Sequence, residues 1–150
     1  MKIIATITTA VLGLPLLFSG VAVAESAKET QNELTYLYVA AQSDPAIKDG
    51  YQALMKPLLD EYAWLSAYGT TTPGVVESLD DKNYEIYWGC KPHDCVVQSY
   101  AVMYDPEEKE MVAGAFVENS YDDNLLLKAE IFWLGHTDLD KARVLGKYLY

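Results

Sequence analysis

Cys90 and Cys95, the only two cysteines among 150 residues, enclose the short segment Lys91-Pro92-His93-Asp94. The residues before it, Tyr84 to Trp88, alternate like a strand, and the residues after it, Val97 to Tyr104, are again strand-like. Two strands joined by so short a segment form a β-hairpin. The sequence therefore predicts a hairpin with a small loop at its tip, of a shape suited to entering a pocket of another protein.

The N-terminal segment has the features of a secretory signal peptide. Lys2 supplies a positive start, Ile3 to Phe18 is an apolar run, and Ala22-Val23-Ala24 is a small-residue cleavage site. The apolar run is shorter than the roughly 20 residues that a membrane-spanning helix needs. We expect residues 1–24 to be removed on export and residues 25–150 to form a single domain.

Charge and redox state narrow the range of partners. The chain has a net charge of −11 at pH 7. That charge disfavours nucleic acid and anionic membrane surfaces as partners and favours a basic protein. In the oxidising compartment outside the cytoplasm, Cys90 and Cys95 most simply form a disulfide. The residues alone leave open whether this bond only ties the hairpin or also holds the loop ready for binding.

Other chemistry at the loop is disfavoured by the spacing of the residues. A thiol oxidoreductase would carry C-x-x-C, and adjacent residues such as His93 and Asp94 point apart on an extended segment. No nucleophile elbow or phosphate-binding glycine loop occurs. The spacing C-x2-H-x-C is not usual for zinc, which needs four ligands. We therefore expect no enzyme, metal or cofactor here, although four candidate ligands are present: Cys90, His93, Cys95 and His136.

Helical patterns are confined to the two ends of the domain. Ser43-Asp44-Pro45 predicts a helix start near the beginning, and Thr137 predicts the cap of a last helix. About five strands lie between them, and short turns imply an antiparallel meander. The predicted class is α+β, with helices packed on one face of the sheet and a disulfide-closed protruding loop. The predicted strands are Val75–Leu79, Tyr84–Trp88, Val97–Tyr104, Met111–Val117 and one within Leu125–Leu134, with a polar segment at Glu118–Asn124.

The loop Cys90-Lys91-Pro92-His93-Asp94-Cys95 resembles the signature of the Ivy family, the inhibitors of vertebrate lysozyme from Gram-negative bacteria. The six identities of the loop are a specific signal, and weaker agreements extend over most of the chain after Ala63. These further positions are Ala63-Trp64, Gly69-Thr70, Thr72-Pro73, Tyr84, Ala101-Val102-Met103, Gly114, Phe116 and Trp133-Leu134.

The resemblance implies a periplasmic inhibitor in which the loop enters the sugar-binding cleft of c-type lysozyme. It implies that His93 reaches the two catalytic carboxylates and that Asp94 bonds to polar groups in the cleft. Lys91 and Pro92 shape or flank the loop, and the cysteine pair holds it. Inhibition of a host's lysozyme would serve the evasion of host defence.

A second function, from a different class, uses the same loop. The protein would then be a periplasmic binding or accessory module that controls the cell's own lytic transglycosylases. The charge of the chain agrees with the first function, because lysozyme is cationic and the strongly acidic chain would attract it over long range. A homodimer is compatible with either function, and the sequence leaves the oligomeric state open.

Overall fold

The computed structural model describes residues 34–149, and the predicted signal peptide, residues 1–24, lies outside this range. Within it, no helix is long and apolar enough to cross a membrane. The elements in chain order are α1 (Leu37–Ser43), α2 (Pro45–Met55), two 3-10 helices (Lys56–Leu58 and Ala63–Ala67), β1 (Thr70–Thr71), β2 (Val75–Leu79), β3 (Lys82–Cys90), β4 (Gln98–Asp105), β5 (Glu110–Asp122), β6 (Leu125–Gly135), α3 (Leu139–Leu145) and a 3-10 helix (Gly146–Tyr148).

The helix starts follow from capping side chains. The Asp44 carboxylate accepts a hydrogen bond of 2.9 Å from the Ala46 N–H, and Pro45 occupies the first turn of α2, as the sequence predicted. At α3 the cap is Asp138, which accepts from the N–H groups of Asp140 and Lys141. The predicted cap, Thr137, is wrong because its hydroxyl instead donates to the Leu134 carbonyl, at 2.7 Å.

The strands form one antiparallel sheet in which β3 pairs with β1, β2 and β4, and β5 lies between β4 and β6. The α+β class and the meander are confirmed. The described residues contain six strands and not five, because Thr70 and Thr71 also pair, with the end of β3. The segment Glu118–Asn124, predicted as polar and separate from the strands, is mostly the end of β5. From Ser120 to Asp122 this strand end is exposed on both faces, and an exposed strand end needs no apolar alternation to pair.

Helices cover both faces of the sheet, whereas the sequence placed them on one face. Tyr100, Val102 and Tyr104 of β4 belong to the core under α1 and α2. The alternate residues, Ala101 and Met103, belong to a second core beneath α3. All residues of β4 are consequently buried. The small side chains on the second face, with alanines also at positions 113 and 115, leave room for a short helix to approach.

Candidate functional site

The loop between β3 and β4 has the form that the sequence predicted. The first strand of the hairpin ends at Cys90, the second begins at Gln98, and a disulfide joins Cys90 to Cys95 across 4.7 Å between the Cα atoms. The predicted hairpin and disulfide are therefore confirmed. The bond closes the loop at its base and leaves Pro92 and His93 exposed at the tip.

Backbone hydrogen bonds fold the loop onto itself. The Lys91 N–H donates to the Gln98 carbonyl at 3.0 Å, and the Asp94 N–H donates to the Lys91 carbonyl at 3.0 Å. The Asp94 carbonyl accepts from Val97 and from Gln98, at 3.1 and 3.2 Å. The loop is thus held by its own main chain as well as by the disulfide. It therefore loses little conformational entropy when it binds.

The functional side chains proposed from the sequence occupy different positions on this loop. His93 lies at the exposed tip, with a left-handed backbone (φ 67°). Asp94 is half-buried and forms an ion pair with Lys91, with 3.2 Å between Nζ and Oδ2. Lys91 therefore does more than flank the loop, because it partly neutralises Asp94 and contributes to the loop's shape. Pro92 precedes the tip and fixes its own φ angle.

A chain of polar side chains supports the loop from below. The Trp64 indole N–H donates to the Gln98 side-chain oxygen at 2.9 Å, and the Gln98 amide donates to Glu118 at 2.7 Å. The hydroxyl of Tyr62 donates to the other Glu118 oxygen at 2.9 Å, and burial together with this bond raises the Tyr62 pKa. Gln98 is 8% exposed, so its backbone, which bonds to Asp94, is firmly positioned.

Gly69 allows β1 to close against the base of the loop. Its backbone is left-handed (φ 65°), and a Cβ at this position would lie 2.3 Å from the Cys90 carbonyl oxygen and 2.6 Å from the ring of Trp64. The adjacent Thr70 pairs with Cys90. Only glycine fits here without displacing the end of β3, so the resemblance noted at Gly69-Thr70 has a physical reason.

The last part of β5 supports the other side of the loop. The Asn119 side chain donates to the Val96 carbonyl at 2.9 Å, and its backbone N–H donates to the Val97 carbonyl at 2.8 Å. The Tyr121 hydroxyl also donates to the Val96 carbonyl, at 3.3 Å. Val96 and Tyr121 remain 61% and 42% exposed, which gives the polar tip an apolar neighbour. The sequence did not reveal this support, since Asn119 is distant along the chain.

The four candidate zinc ligands do not come together. Cys90 and Cys95 are joined to each other. His136 follows β6, and its N–H bonds to the Val112 carbonyl near the start of β5, whereas the loop bonds to the other end of that strand. In residues 34–149 no group of three or more His, Cys, Asp or Glu side chains is placed to hold a metal ion. What the loop offers is an exposed imidazole beside a carboxylate on a rigid support.

Comparison with known protein families shows the family to which a chain with this loop belongs. The family described as "Inhibitor of vertebrate lysozyme (Ivy)" matches residues 46–122, about half of the chain. The chain belongs to the Ivy family. The matched range includes α2 from its second residue onward, the hairpin and the whole Cys90–Cys95 loop. The resemblance seen in the sequence is therefore confirmed.

Two Ivy relatives come from Escherichia coli, strain K12 and O157:H7, and each is named "Inhibitor of vertebrate lysozyme". The chain is 36% identical to each of them over 76 residues, which are 51% of this chain and 46% of the relative. The chain thus matches about half the length of these curated relatives. Both the β3–β4 hairpin and its supporting strand β5 lie within the range of the family match.

Proposed function

We propose that this Ivy-family chain inhibits c-type lysozyme by inserting the Cys90–Cys95 loop into the active-site cleft. The observation that carries the proposal is a protruding loop, closed by a disulfide and by main-chain hydrogen bonds, with an exposed imidazole at its tip. Because such a loop is ordered before it binds, little conformational entropy is lost on association. The names of the Escherichia coli relatives support lysozyme as the target.

His93 is the group that reaches the catalytic carboxylates in this proposal. The cleft of lysozyme holds one protonated acid and one ionised carboxylate. A protonated imidazole donates from both ring nitrogens and can bond to two acceptors at once. Hydrogen bonds of this charge-assisted kind are about twice as strong as neutral ones. Asp94 accepts bonds from polar groups of the cleft, while Lys91 and Pro92 keep the loop in shape.

The charge of the chain suits the same partner. Lysozyme is a basic protein, and a net charge of −11 speeds the encounter with it by long-range attraction. The chain is an inhibitor and performs no chemistry of its own in this proposal. The acidic chain as a whole attracts the basic partner, whereas the imidazole at the tip of the loop meets the carboxylates of the cleft.

A turbidity assay tests the proposal directly. Lysis of a cell-wall suspension by c-type lysozyme is followed with and without the purified protein, and we expect the protein to suppress lysis in proportion to its concentration. The alternative, control of the cell's own lytic transglycosylases, is tested by replacing lysozyme with such an enzyme. Inhibition of the transglycosylase alone would support the alternative and exclude lysozyme as the target.

We further propose that the chain acts in the periplasm after removal of residues 1–24. The disulfide supports export, because such bonds persist in oxidising compartments. The intact mass of the protein recovered from a periplasmic extract tests this. We expect the mass of a chain that begins at Glu25, and we expect this mass to stay unchanged on alkylation without reductant. Retention of the N-terminal segment would contradict the proposal.

Loss of the disulfide should weaken inhibition without unfolding the protein. In the double variant Cys90→Ser with Cys95→Ser, the hairpin keeps its main-chain bonds but the loop gains freedom that binding must then remove. We expect an inhibition constant about fivefold higher, or about 1 kcal/mol. Inhibition constants are measured beside thermal unfolding curves. Equal inhibition by the variant and the parent would show that the bond only ties the hairpin.

A further inference from the structure

The Cys90–Cys95 loop is small for the whole of a protein–protein interface. A specific, stable interface buries about 800 Å² on each partner and engages about 20 residues of each. The loop has six residues, and its two cysteines are bonded to each other. If the loop fills a cleft, residues beside it are needed to contact the partner around the mouth of that cleft.

The hairpin of β5 and β6 projects from the sheet beside this loop. The last pair between β4 and β5 joins Gln98 to Glu118, but β5 continues to Asp122 and stays paired with β6. The four further residues extend the hairpin by roughly 13 Å. Since β5 is antiparallel to β4, this extension lies at the end of the sheet where β4 begins and where the loop is placed.

Hydrogen bonds fix the position of this hairpin relative to the loop. The Asn119 N–H donates to the Val97 carbonyl, and the Asn119 side-chain amide donates to the Val96 carbonyl. The Tyr121 hydroxyl donates to the same Val96 carbonyl at 3.3 Å. The loop and the hairpin therefore present one continuous surface whose parts are already in place before binding.

A tight turn ends the hairpin. Asp123 and Asn124 have left-handed φ angles, of 45° and 68°. Two-residue turns between antiparallel strands favour positive φ angles, and aspartate and asparagine are among the residues that adopt them. The flanking residues, Asp122 and Leu125, form the last pair of the two strands. The tip thus has a defined shape, and it carries the exposed carboxylates of Asp122 and Asp123 at the end of the projection.

Three large apolar side chains are exposed on this surface. Val96 follows Cys95 directly and is 61% exposed, and Tyr121, which bonds to its carbonyl, is 42% exposed. Leu126 pairs with Tyr121 and is 50% exposed. Paired residues of an antiparallel ladder project to the same face, so the tyrosine and the leucine are neighbours there. Exposed apolar patches rimmed by polar residues mark protein interaction sites, and tyrosine is enriched among the residues that dominate binding.

We propose that the patch formed by Val96, Tyr121 and Leu126 is a second contact surface for the lysozyme whose cleft the loop enters. This inference rests on the inhibitory function proposed above and adds a contact outside the catalytic cleft. The patch is continuous with the loop, so a partner seated on the loop covers it. Its apolar side chains pack at the mouth of the cleft, while Asp122 and Asp123 face basic groups on the partner's surface.

Variants of Tyr121 test the apolar contact. Tyr121→Ala should raise the inhibition constant for c-type lysozyme about tenfold, mainly through faster dissociation. Tyr121→Phe keeps the ring and loses only the bond to Val96, so its inhibition constant should stay within about twofold of the parent's. Tyr38→Ala is the matched control, since it truncates a tyrosine that is 44% exposed on α1. Thermal unfolding of each variant shows whether it is folded.

The outcomes separate this inference from the function on which it rests. If Tyr121→Ala inhibits normally while His93→Ala does not, the loop binds lysozyme and the second surface is excluded. Equal losses in Tyr121→Ala and Tyr121→Phe would show that the tyrosine only supports the loop through its hydroxyl, which also overturns the inference. A parent protein that leaves lysozyme fully active would overturn the inhibitory function and the second surface together.

Association rates at low ionic strength test the placement of the hairpin tip. Asp122→Asn with Asp123→Asn removes two charges, and asparagine tolerates the left-handed backbone at position 123. Glu107→Gln with Glu108→Gln is the control, because it removes two exposed charges from the turn at the other end of β5. We expect the tip variant to associate with lysozyme about threefold more slowly than the control. Equal rates for the two variants would mean that the tip does not face the partner, and would overturn the proposed surface.

Discussion

Replacement of His93 by alanine should raise the inhibition constant for c-type lysozyme at least about thirtyfold, or about 2 kcal/mol, and should leave the fold intact. The side chain is exposed at the tip of the loop and buries little in the free protein. In the proposed complex it is an anchor that enters a deep cleft, where a truncated side chain leaves the catalytic carboxylates without their partner. Inhibition assays beside thermal unfolding of the same samples separate the two effects.

Two further variants make this experiment specific to the imidazole. The left-handed backbone of His93 is one that asparagine adopts readily, so His93→Asn keeps the loop conformation while removing the imidazole. His136→Ala is the matched control, since it removes the other histidine, which is exposed near the opposite end of β5. We expect His93→Asn to inhibit weakly and His136→Ala to inhibit normally. Normal inhibition by His93→Ala would remove His93 from the site.

The loop could be predicted because its determinants are close together in the sequence. Cys90 and Cys95 are separated by five positions, the strand before them alternates and the segment after them is strand-like, and short segments between strands close hairpins. The same local information located the start of α2, where Asp44 and Pro45 act within one turn. The resemblance to the Ivy family could also be seen in this segment, since the six residues of the loop are its most specific part.

The support beneath the loop could not be predicted because it joins distant parts of the chain. Trp64 and Gln98 are 34 positions apart, and Asn119 bonds to Val96 from 23 positions away. No periodic pattern in the sequence indicates which distant residues form such pairs. Their partners become apparent only when the register of the sheet is known, and a shift of one residue would turn each side chain to the other face.

The face that α3 covers was predicted wrongly for a related reason. The middle strand β4 is buried on both sides, so its alternation does not distinguish the two faces. The signal that was available lies in the small residues Ala101, Ala113 and Ala115, which together define a face that a short helix can approach closely. These alanines become one surface only after β4 and β5 are paired.

Replacement of Asp105 by alanine should destabilise the domain by about 3 kcal/mol at neutral pH, the largest stability effect that we expect from a single polar side chain. Asp105 is 2% exposed at the end of β4. One carboxylate oxygen accepts from the N–H groups of Glu107 and Glu108, at 3.0 and 3.1 Å, and the other pairs with the Lys82 ammonium at 2.5 Å. Alanine removes every one of these bonds and leaves their donors without this partner.

The effect should depend on pH with a definite sign. Burial opposes ionisation of Asp105, but the bonds from Lys82, Glu108 and Glu107 outweigh it and hold the pKa of the carboxyl below its usual range. The folded state therefore favours the ionised form. The resulting stability is present above the unfolded pKa of about 3.9 and is lost as the pH falls through the lower folded pKa. The difference between the parent and Asp105→Ala should accordingly shrink in acid.

Urea unfolding at about pH 7 and about pH 3 measures this difference, because the midpoint and slope give the free energy of unfolding at each pH. Glu107→Ala is the matched control, since it removes an exposed carboxylate from the same turn while the Glu107 N–H still donates to Asp105. The control should change the free energy of unfolding by less than about 0.5 kcal/mol at either pH.

Asp105→Asn keeps an acceptor for the two N–H groups and loses only the charge, so its free energy of unfolding should lie between those of the parent and the alanine variant. A loss for Asp105→Ala that is equal at both pH values would mean that the carboxylate acts through packing, and that its pairing with Lys82 contributes little to the fold.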